Sequence, residues 1–453
     1  MSVAVFFISR KRPGFDPAWG AFVEQNIRTQ LQKTLPDTLF YSPIADEHAL
    51  KTALNNARQN EIDAVIISQP TMGDGNLWTL FASEWNAPVI LWATPENPDN
   101  PKVSACGLVG VHNWASGLAQ VHRPALIVYG LPNEKETVRE LNEAICIAQT
   151  VKKIRQARIG LIGGHAPGFL NMAVDASLLQ RLLGSRLKHI GLHEFINIVR
   201  SLPDSLVAED RKKAEALNIP VRYGVRISEE ALNWSSRYYL ALRQVFAEEA
   251  FDAAALRCWG ELPNELGVWA YAALARLADE GFNICEEGDA GGAIGCLLAQ
   301  TLGAETPAFN TDWLEHDDVS ITLWHGGATP FSICEPNSLS LDVHFNTGKP
   351  LVVNARLKEG IPVTLFRLWR FDNEYRLAII EGISEKPQRY IDGFYARVRV
   401  GGGVKQFFLD ACTAGMPHHI AVVQGRWASQ LKQFAAVYQP QLIKVALQLG
   451  VPQ

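Results

Sequence analysis

The sequence lacks paired cysteines and long apolar runs. Its seven cysteines stand singly, and no two of them form a CxxC pair. This pattern indicates neither a disulfide framework nor a cysteine-ligated zinc site, and it fits a reducing cytoplasm. The longest apolar runs, such as Ala64–Ile67 and Pro88–Ala93, have the length of a strand, so no membrane-spanning segment is predicted. The stretch from Val3 to Ile8 lacks the charged region and cleavage site of a signal peptide. We therefore expect a cytoplasmic protein.

Basic character is also scarce. The formal net charge is −5, and the lysine pairs Lys152-Lys153 and Lys212-Lys213 are short. Nucleic-acid binding normally needs a basic face, so a nucleic-acid partner is not predicted. Hydrophobic residues make up 47% and charged residues 20% of the 453 residues, as in ordinary soluble globular proteins. This length favours two or three domains over a single core.

Short apolar runs alternate with helical patterns in the first part of the chain, residues 1–155. Val3–Ile8 reads as a strand and Ala18–Leu35 as an amphipathic helix. Further buried strands are predicted at Asp63–Ser68, Pro88–Ala93 and Pro124–Tyr129. The alternation is typical of a doubly wound α/β domain, with a parallel sheet between two layers of helices.

A second α/β domain is predicted over residues 156–317. Its strands are Arg158–Ile162, Ala253–Cys258 and Asn283–Cys285, and its long helices are Ser228–Ala250 and Glu265–Glu280. After about residue 318 the pattern changes to closely spaced strands, which predicts an antiparallel, barrel-like domain over residues 318–453. The predicted strands are Val319–Trp324, Ser338–Val343, Leu351–Ala355, Val363–Arg370, Tyr375–Glu381, Tyr395–Val400 and Ile420–Gln424, and one helix, Trp427–Tyr438, closes the chain.

Gly163–Gly168 forms a glycine-rich turn directly after a predicted strand. Such a turn suggests a dinucleotide site, but its spacing is not G-x-G-x-x-G and no acidic partner follows the next strand. A tight strand-to-helix turn is the favoured interpretation, and an NAD-dependent oxidoreductase is correspondingly disfavoured.

Polar residues gather at the ends of several late strands. Glu286, Glu287 and Asp289 follow the strand Asn283–Cys285, where carboxylates can bind a metal, move a proton or cap the next helix. Taken singly, the other residues of this kind have ordinary structural explanations as well. They are Asp312, His325 and the adjacent pair His418-His419. Adjacent strand residues face opposite ways, so we expect only one histidine of the pair to enter a given site.

Taken together, these motifs resemble the L-fucose isomerase family and its structural relatives, the L-arabinose isomerases. The resemblance covers residues 255–425, and the order of the three domains extends it to the whole chain. The motifs are Cys258-Trp259-Gly260-Glu261-Leu262-Pro263, Glu287-Gly288-Asp289, Ala308-Phe309-Asn310-Thr311-Asp312-Trp313, Leu323-Trp324-His325-Gly326-Gly327-Ala328-Thr329-Pro330 and Gly415-Met416-Pro417-His418-His419.

The resemblance implies a set of metal ligands. The family's glutamate falls on Glu287, with Glu286 as the alternative in the neighbouring register, and its aspartate falls on Asp312. Its late histidine falls on the His418-His419 pair, where we favour His419 as ligand and expect His418 to contact substrate. The further histidine of arabinose isomerases falls on His325.

The implied activity is a metal-dependent aldose–ketose isomerisation of a free, deoxy or 6-substituted monosaccharide through a cis-enediolate. Mn²⁺ suits such oxygen and imidazole ligands, with Mg²⁺ or another divalent cation as a substitute. Glu287 and Asp312 would serve as the acid and base. The alternative is a non-catalytic sugar-binding or regulatory protein on the same scaffold.

The resemblance also implies a homo-oligomer, a hexamer, in which a neighbouring subunit covers the metal site. We expect the cover to be a loop over Val111–Gly117, in which Trp114 and Asn113 contact the substrate. The alternative for Trp114 is simple packing beneath a helix.

Overall fold

The computed structural model describes residues 2–9, 15–438 and 442–450. The chain divides into two compact units. The first comprises residues 1–153 with 432–443, and the second comprises residues 154–431 with 444–453. Within the described residues, no helix is both long enough and apolar enough to cross a membrane.

The first unit contains a five-stranded parallel sheet in the order β2-β1-β3-β4-β5. The strands are β1 (Val3–Ile8), β2 (Leu39–Ile44), β3 (Ala64–Ser68), β4 (Val89–Ala93) and β5 (Leu126–Tyr129). The helices are α1 (Pro17–Thr34), α2 (Glu47–Gln59), α3 (Asn76–Glu84), α4 (Gly107–Gln120) and α5 (Lys135–Gln156). Every residue of β1, β3 and β4 is buried, as expected for strands covered on both faces.

Two sequence predictions fail in this unit. Strand β2 was not predicted, because it is half exposed and contains Pro43, so it shows no continuous apolar run. The loop predicted over 111–117 lies inside helix α4. The apolar residues Val111, Trp114 and Leu118 recur there at helical spacing and are buried in the hydrophobic core.

The second unit begins with a four-stranded parallel sheet in the order β7-β6-β8-β9. Its strands are β6 (Arg158–Ile162), β7 (Arg186–Ile190), β8 (Ala253–Leu256) and β9 (Asn283–Cys285). Its helices are α6 (Ala176–Leu183), α7 (Leu192–Ser201), α8 (Asp204–Glu215), α9 (Glu229–Glu248), α10 (Glu261–Leu266), α11 (Tyr271–Asp279) and α12 (Ala290–Thr301). The single helix predicted over 265–280 is wrong, because Gly267, with a φ of 76°, ends α10 and separates it from α11.

The same unit continues into a large, mainly antiparallel sheet. Its strands are β10 (Phe309–His316), β11 (Ser320–His325), β12 (Ser340–Val343), β13 (Pro350–Arg356), β14 (Pro362–Phe371), β15 (Glu374–Glu385), β16 (Phe394–Arg399), β17 (His419–Gln424) and β18 (Ile443–Gly450). The helices α13 (Val404–Thr413) and α14 (Ala428–Tyr438) interrupt it. Six strands run in the order β16-β11-β10-β17-β14-β15, and pairing between β15 and β16 closes them into a barrel.

The predicted fold class, two parallel α/β sheets followed by an antiparallel barrel, is confirmed. Three details differ from the prediction. The barrel starts with β10, before residue 317, helix α13 lies among its strands, and β18 follows the helix that was expected to close the chain. The division into three domains at residues 155 and 317 stays a prediction.

Candidate metal centre

Acidic and imidazole side chains from three neighbouring parts of the chain converge in the second unit. Glu287 follows β9, Asp312 lies in β10, and His419 is the first residue of β17. Asp312 and His419 are directly opposite each other in the antiparallel β10–β17 pair, so their side chains share one face. His419 Nε2 lies 3.3 Å from Glu287 Oε2 and 3.7 Å from Asp312 Oδ1. The carboxylates of Glu287 and Asp312 therefore both lie close to the same nitrogen, His419 Nε2.

His325, the last residue of β11, extends this cluster. Its Nε2 lies 3.9 Å from Glu287 Oε1 and 3.2 Å from Glu286 Oε1. One potential ligand atom from each of Glu287, His325 and His419 lies within 4.8 Å of the others, and the same holds for Asp312, His418 and His419. The two groups share His419. The sequence-predicted ligands are therefore brought together, and Glu286, the alternative to Glu287, also lies in the cluster, beside His325.

The backbone of Glu287 is held in an uncommon conformation. Its φ is 61°, in the left-handed region that non-glycine residues seldom adopt. Its N–H donates to Cys258 Sγ at 3.3 Å, and its carbonyl accepts from Ala166 N at 2.8 Å. Trp259 Nε1 donates to Oε1 at 2.6 Å. These contacts direct Oε2 towards His419, and such strain is typical of functional sites.

Gly288 allows the turn after β9 to pack closely against the turn Gly163–Gly168. A Cβ atom at Gly288 would lie 2.1 Å from Gly164 O, and its φ is 72°. The glycine-rich turn therefore packs directly against the turn that carries Glu287. The first α-helix after this turn, α6, begins only at Ala176. The predicted tight strand-to-helix turn is therefore wrong, and the arrangement also departs from that of a dinucleotide site.

Asp289 fixes the orientation of the His419 ring. Its Oδ2 lies 2.9 Å from His419 Nδ1, and its Oδ1 accepts from Gly292 N at 3.0 Å, which caps helix α12. Arg367 on β14 pairs with both oxygens of the carboxylate, at 2.5 and 2.8 Å. A carboxylate accepts hydrogen bonds, so the Nδ1 of His419 carries the hydrogen. Nε2 then faces Glu287 and Asp312, where the neutral ring would offer its lone pair to a metal ion.

Four polar side-chain atoms in this cluster are buried without a hydrogen-bond partner among the described residues. They are Glu287 Oε2, Asp312 Oδ1, His325 Nδ1 and His419 Nε2. Unpartnered buried polar atoms are rare, since each costs about 1–3 kcal/mol. Two carboxylate oxygens and the Nε2 of His419 face one another here, which is the donor set of a divalent cation.

Charges inside the cluster shift the pKa values of its members. Burial raises the pKa of Glu286. Burial acts in the same direction on Glu287, but the neighbouring His418 and His419 outweigh it and hold its pKa well below the usual range. Burial also opposes ionisation of Asp289, yet Arg367 and His419 keep its pKa low. Both Glu287 and Asp289 are therefore carboxylates at neutral pH.

His418 also faces the cluster, contrary to the expectation that only one of the adjacent histidines would do so. It lies in a bend before β17, so the alternation of strand side chains does not apply to it. Its Nε2 is 3.9 Å from both Glu287 Oε2 and Asp312 Oδ1. His418 is 36% exposed, whereas the His419 side chain is fully buried. His418 therefore lies on the solvent-exposed side of the site and His419 on its buried side.

The remaining predicted substrate contacts, Asn113 and Trp114, lie on helix α4 of the first unit. Asn113 is exposed. Trp114 is fully buried and its ring lies 5.8 Å from that of Phe81, which supports the packing alternative. Conversely, sequence reasoning missed the structural roles of Asp289 and Trp259. Both residues belong to motifs quoted in the sequence analysis, and their place in those motifs was the signal that could have identified them.

Comparison with known proteins gives matches over most of the chain. A profile of the family described as "Fucose/sulfoquinovose isomerase, N-terminal domain" matches residues 14–155. The sulfoquinovose isomerases of Priestia aryabhattai and Priestia megaterium (strain ATCC 12872 / QMB1551) are each 25% identical over 379 residues, covering 83% of this chain and 84% of theirs. That of Alkalicoccus urumqiensis is 24% identical over 387 residues, covering 84% of this chain and 86% of its own.

Proposed function

The chain is a member of the fucose isomerase-like family and an aldose–ketose sugar isomerase, and from that premise we propose that it uses a divalent cation to isomerise a 6-sulfonated aldose. One observation carries the metal part of the proposal. Glu287 Oε2, Asp312 Oδ1 and His419 Nε2 are buried, face one another and have no other partner among the described residues.

These residues fit a divalent cation of the Mn²⁺ type. Glu287 and Asp312 provide oxygen ligands and His419 provides an oriented nitrogen, with His325 as a further imidazole close by. Carboxylate oxygens with one or two imidazoles suit Mn²⁺, and Mg²⁺ is the weaker substitute. Such an ion, when bound, polarises the substrate carbonyl and stabilises negative charge on the neighbouring oxygens.

The reaction itself requires a proton to move between C1 and C2 of the open-chain sugar. Glu287, which follows β9, and Asp312, which lies within β10, supply two carboxylates that can act as base and acid. One carboxylate removes the proton from C2 and a cis-enediolate forms. A proton then moves from O2 to O1, and the protonated carboxyl group returns its proton to C1, which leaves the carbonyl at C2. Burial of Glu287 excludes water that would otherwise compete for the carbanionic carbon.

The substrate class comes from the relatives, which are named sulfoquinovose isomerases. We propose a sugar whose C6 carries a sulfonate, as in those proteins. We further propose that the enzyme is a homo-oligomer, a hexamer, in the cytoplasm, with Asn113 of a neighbouring subunit facing the substrate. Light scattering of the purified protein tests the oligomeric state.

Metal removal and a substrate panel test the proposal. The protein is treated with a chelator, checked by elemental analysis, and assayed on sulfoquinovose, glucose and L-fucose with and without Mn²⁺. We expect activity on the sulfonated sugar that disappears on chelation and returns with Mn²⁺. Full activity of a metal-free preparation would contradict the metal role, and equal rates on all three sugars would contradict the substrate class.

Two neighbouring glutamates provide a matched pair of variants. Glu287→Gln removes a ligand and an acid/base group together, so we expect kcat to fall by several orders of magnitude. Glu286→Gln retains a group that can bond His325 Nε2, 3.2 Å away, and we expect a much smaller loss. The reverse ranking in steady-state kinetics would assign the ligand role to Glu286 instead.

A further inference from the structure

We propose that His418 donates its Nε2 hydrogen to a substrate oxygen during isomerisation, and that Asn171 positions it for this role. The proposal rests on the proposed function, because it names a further catalytic residue of the same site. It also assigns a role to residues 169–172, which follow the glycine-rich turn.

The contact between Asn171 and His418 determines where the imidazole hydrogen lies. Asn171 Nδ2 is 3.2 Å from His418 Nδ1. An amide nitrogen donates hydrogen bonds and does not accept them, so Nδ1 is the acceptor. A neutral His418 therefore carries its hydrogen on Nε2. This is the opposite tautomer to that of His419, whose Nδ1 donates to Asp289.

The two tautomers give the adjacent histidines different chemistry. His419 presents a lone pair at Nε2 and can bind a cation, whereas His418 presents an N–H and cannot. Only an acceptor can meet that N–H. The hydroxyl, carbonyl and enediolate oxygens of a sugar are acceptors of this kind. A donor aimed at an oxygen that gains negative charge stabilises the transition state more than the ground state.

The position of His418 suits a group that meets substrate. Its Nε2 lies 3.9 Å from Glu287 Oε2 and from Asp312 Oδ1, and neither distance is a hydrogen bond. The N–H is therefore directed at the space between the two carboxylates proposed as acid and base. His418 is also the more exposed histidine of the pair, on the side from which a sugar can enter.

The segment after the glycine-rich turn holds His418 in place. Asn171 lies in a single 3₁₀ turn, Leu170–Met172, and the ring of Phe169 packs 4.9 Å from that of His418. The same segment is tied to the metal centre, since Ala166 N donates to the Glu287 carbonyl at 2.8 Å. One short segment thus sets the position of His418 relative to Glu287.

Variants of His418 test whether it is a donor or a ligand. Loss of one such donor typically lowers kcat about 10²–10³-fold, and we expect this of His418→Ala. Mn²⁺ affinity, measured by calorimetry in the absence of sugar, should change less than about threefold, whereas His419→Ala should lose at least about tenfold. His418→Gln places an amide N–H near the former Nε2 and should recover part of kcat. The matched control His418→Asn, whose shorter amide mimics Nδ1, should not.

Variants of Asn171 test the positioning role. Asn171→Ala should lower kcat about tenfold, with Mn²⁺ affinity and thermal stability unchanged, because the imidazole loses its fixed tautomer. The double variant Asn171→Ala/His418→Ala should be no slower than His418→Ala alone, since Asn171 acts only through His418.

Three results would overturn the proposal. They are a tenfold or greater loss of Mn²⁺ affinity in His418→Ala, an unchanged kcat in that variant, and additive losses in the double variant. Failure of the proposed function is recognised separately, by a wild-type protein that neither binds Mn²⁺ nor isomerises a sugar.

Discussion

The substitution Asp289→Asn should separate the stability of the site from its metal chemistry. Asp289 and Arg367 are 0% and 3% exposed and form two N–O contacts, so the charge of Arg367 has no access to water. Asparagine is as good a helix N-cap as aspartate, and the cap on Gly292 should persist. The substitution removes the negative charge of residue 289 and changes the hydrogen-bond acceptor that faces His419 Nδ1.

The expected magnitude follows from the burial of the pair. Removing one partner of a buried ion pair costs about 3–5 kcal/mol, because the other charge is left unpaired. We expect the free energy of unfolding of Asp289→Asn to fall by about that amount. His419 also loses the carboxylate that fixes its tautomer, and loss of such a partner lowers metal affinity about 10–100-fold.

The double variant Asp289→Asn/Arg367→Met separates the two effects. Methionine removes the unpaired charge while filling a similar volume, so we expect most of the lost stability to return. Mn²⁺ affinity should not return, because the carboxylate facing His419 is still absent. Urea denaturation measures the free energy of unfolding, and calorimetric titration measures the Mn²⁺ affinity.

Two outcomes would refute this reasoning. If Asp289→Asn unfolds within about 1 kcal/mol of the wild type, the buried pair does not stabilise the fold as the contacts suggest. If the double variant regains wild-type Mn²⁺ affinity, Asp289 does not act on the metal site through His419.

Three further predictions concern other parts of the chain. Gly288→Ala should destabilise the protein by about 2 kcal/mol or more, because its Cβ would meet Gly164 O at 2.1 Å; an unchanged melting temperature would contradict this. Trp114→Ala should cost about 3–5 kcal/mol in urea denaturation, and an unchanged stability with lost activity would instead favour a substrate contact. Burial, with the charge of His325, lowers the pKa of His344 to about 4, so the unfolded chain binds a proton there that the folded chain does not. Stability should therefore fall by about 3 kcal/mol as the pH drops from 6.5 to 4, and His344→Phe should lose that part of the pH dependence.

Strong periodicity made much of the fold predictable. A fully buried parallel strand such as β1 is a continuous apolar run, and it was predicted with its observed bounds. The half-exposed β2 was missed, because a partly solvated edge strand has no such run. Helix α4 was taken for a loop in part because its glycines weaken the helical pattern.

The candidate ligands were predictable, but their supporting contacts were not. Glu287, Asp312 and His419 stand in motifs that resemble those of a known family. Asp289 is in the same motif, yet its contact with His419 spans 130 positions of sequence. Asn171 and His418 are 247 positions apart, and only the folded chain brings them together. Pairing over such separations depends on strand register, which a single sequence does not determine.

The unequal burial of the candidate metal centre has a consequence for how this enzyme could acquire new substrates. On the inner side, Asp289 joins helix α12, strand β14 and His419, so almost any replacement there disturbs the barrel itself. On the outer side, Asn171 and Leu170 are exposed and contribute little to the core. Mutations at Leu170 should therefore be tolerated and those around Asp289 eliminated, which would let the outer side of the site diverge while the isomerisation chemistry stays constant.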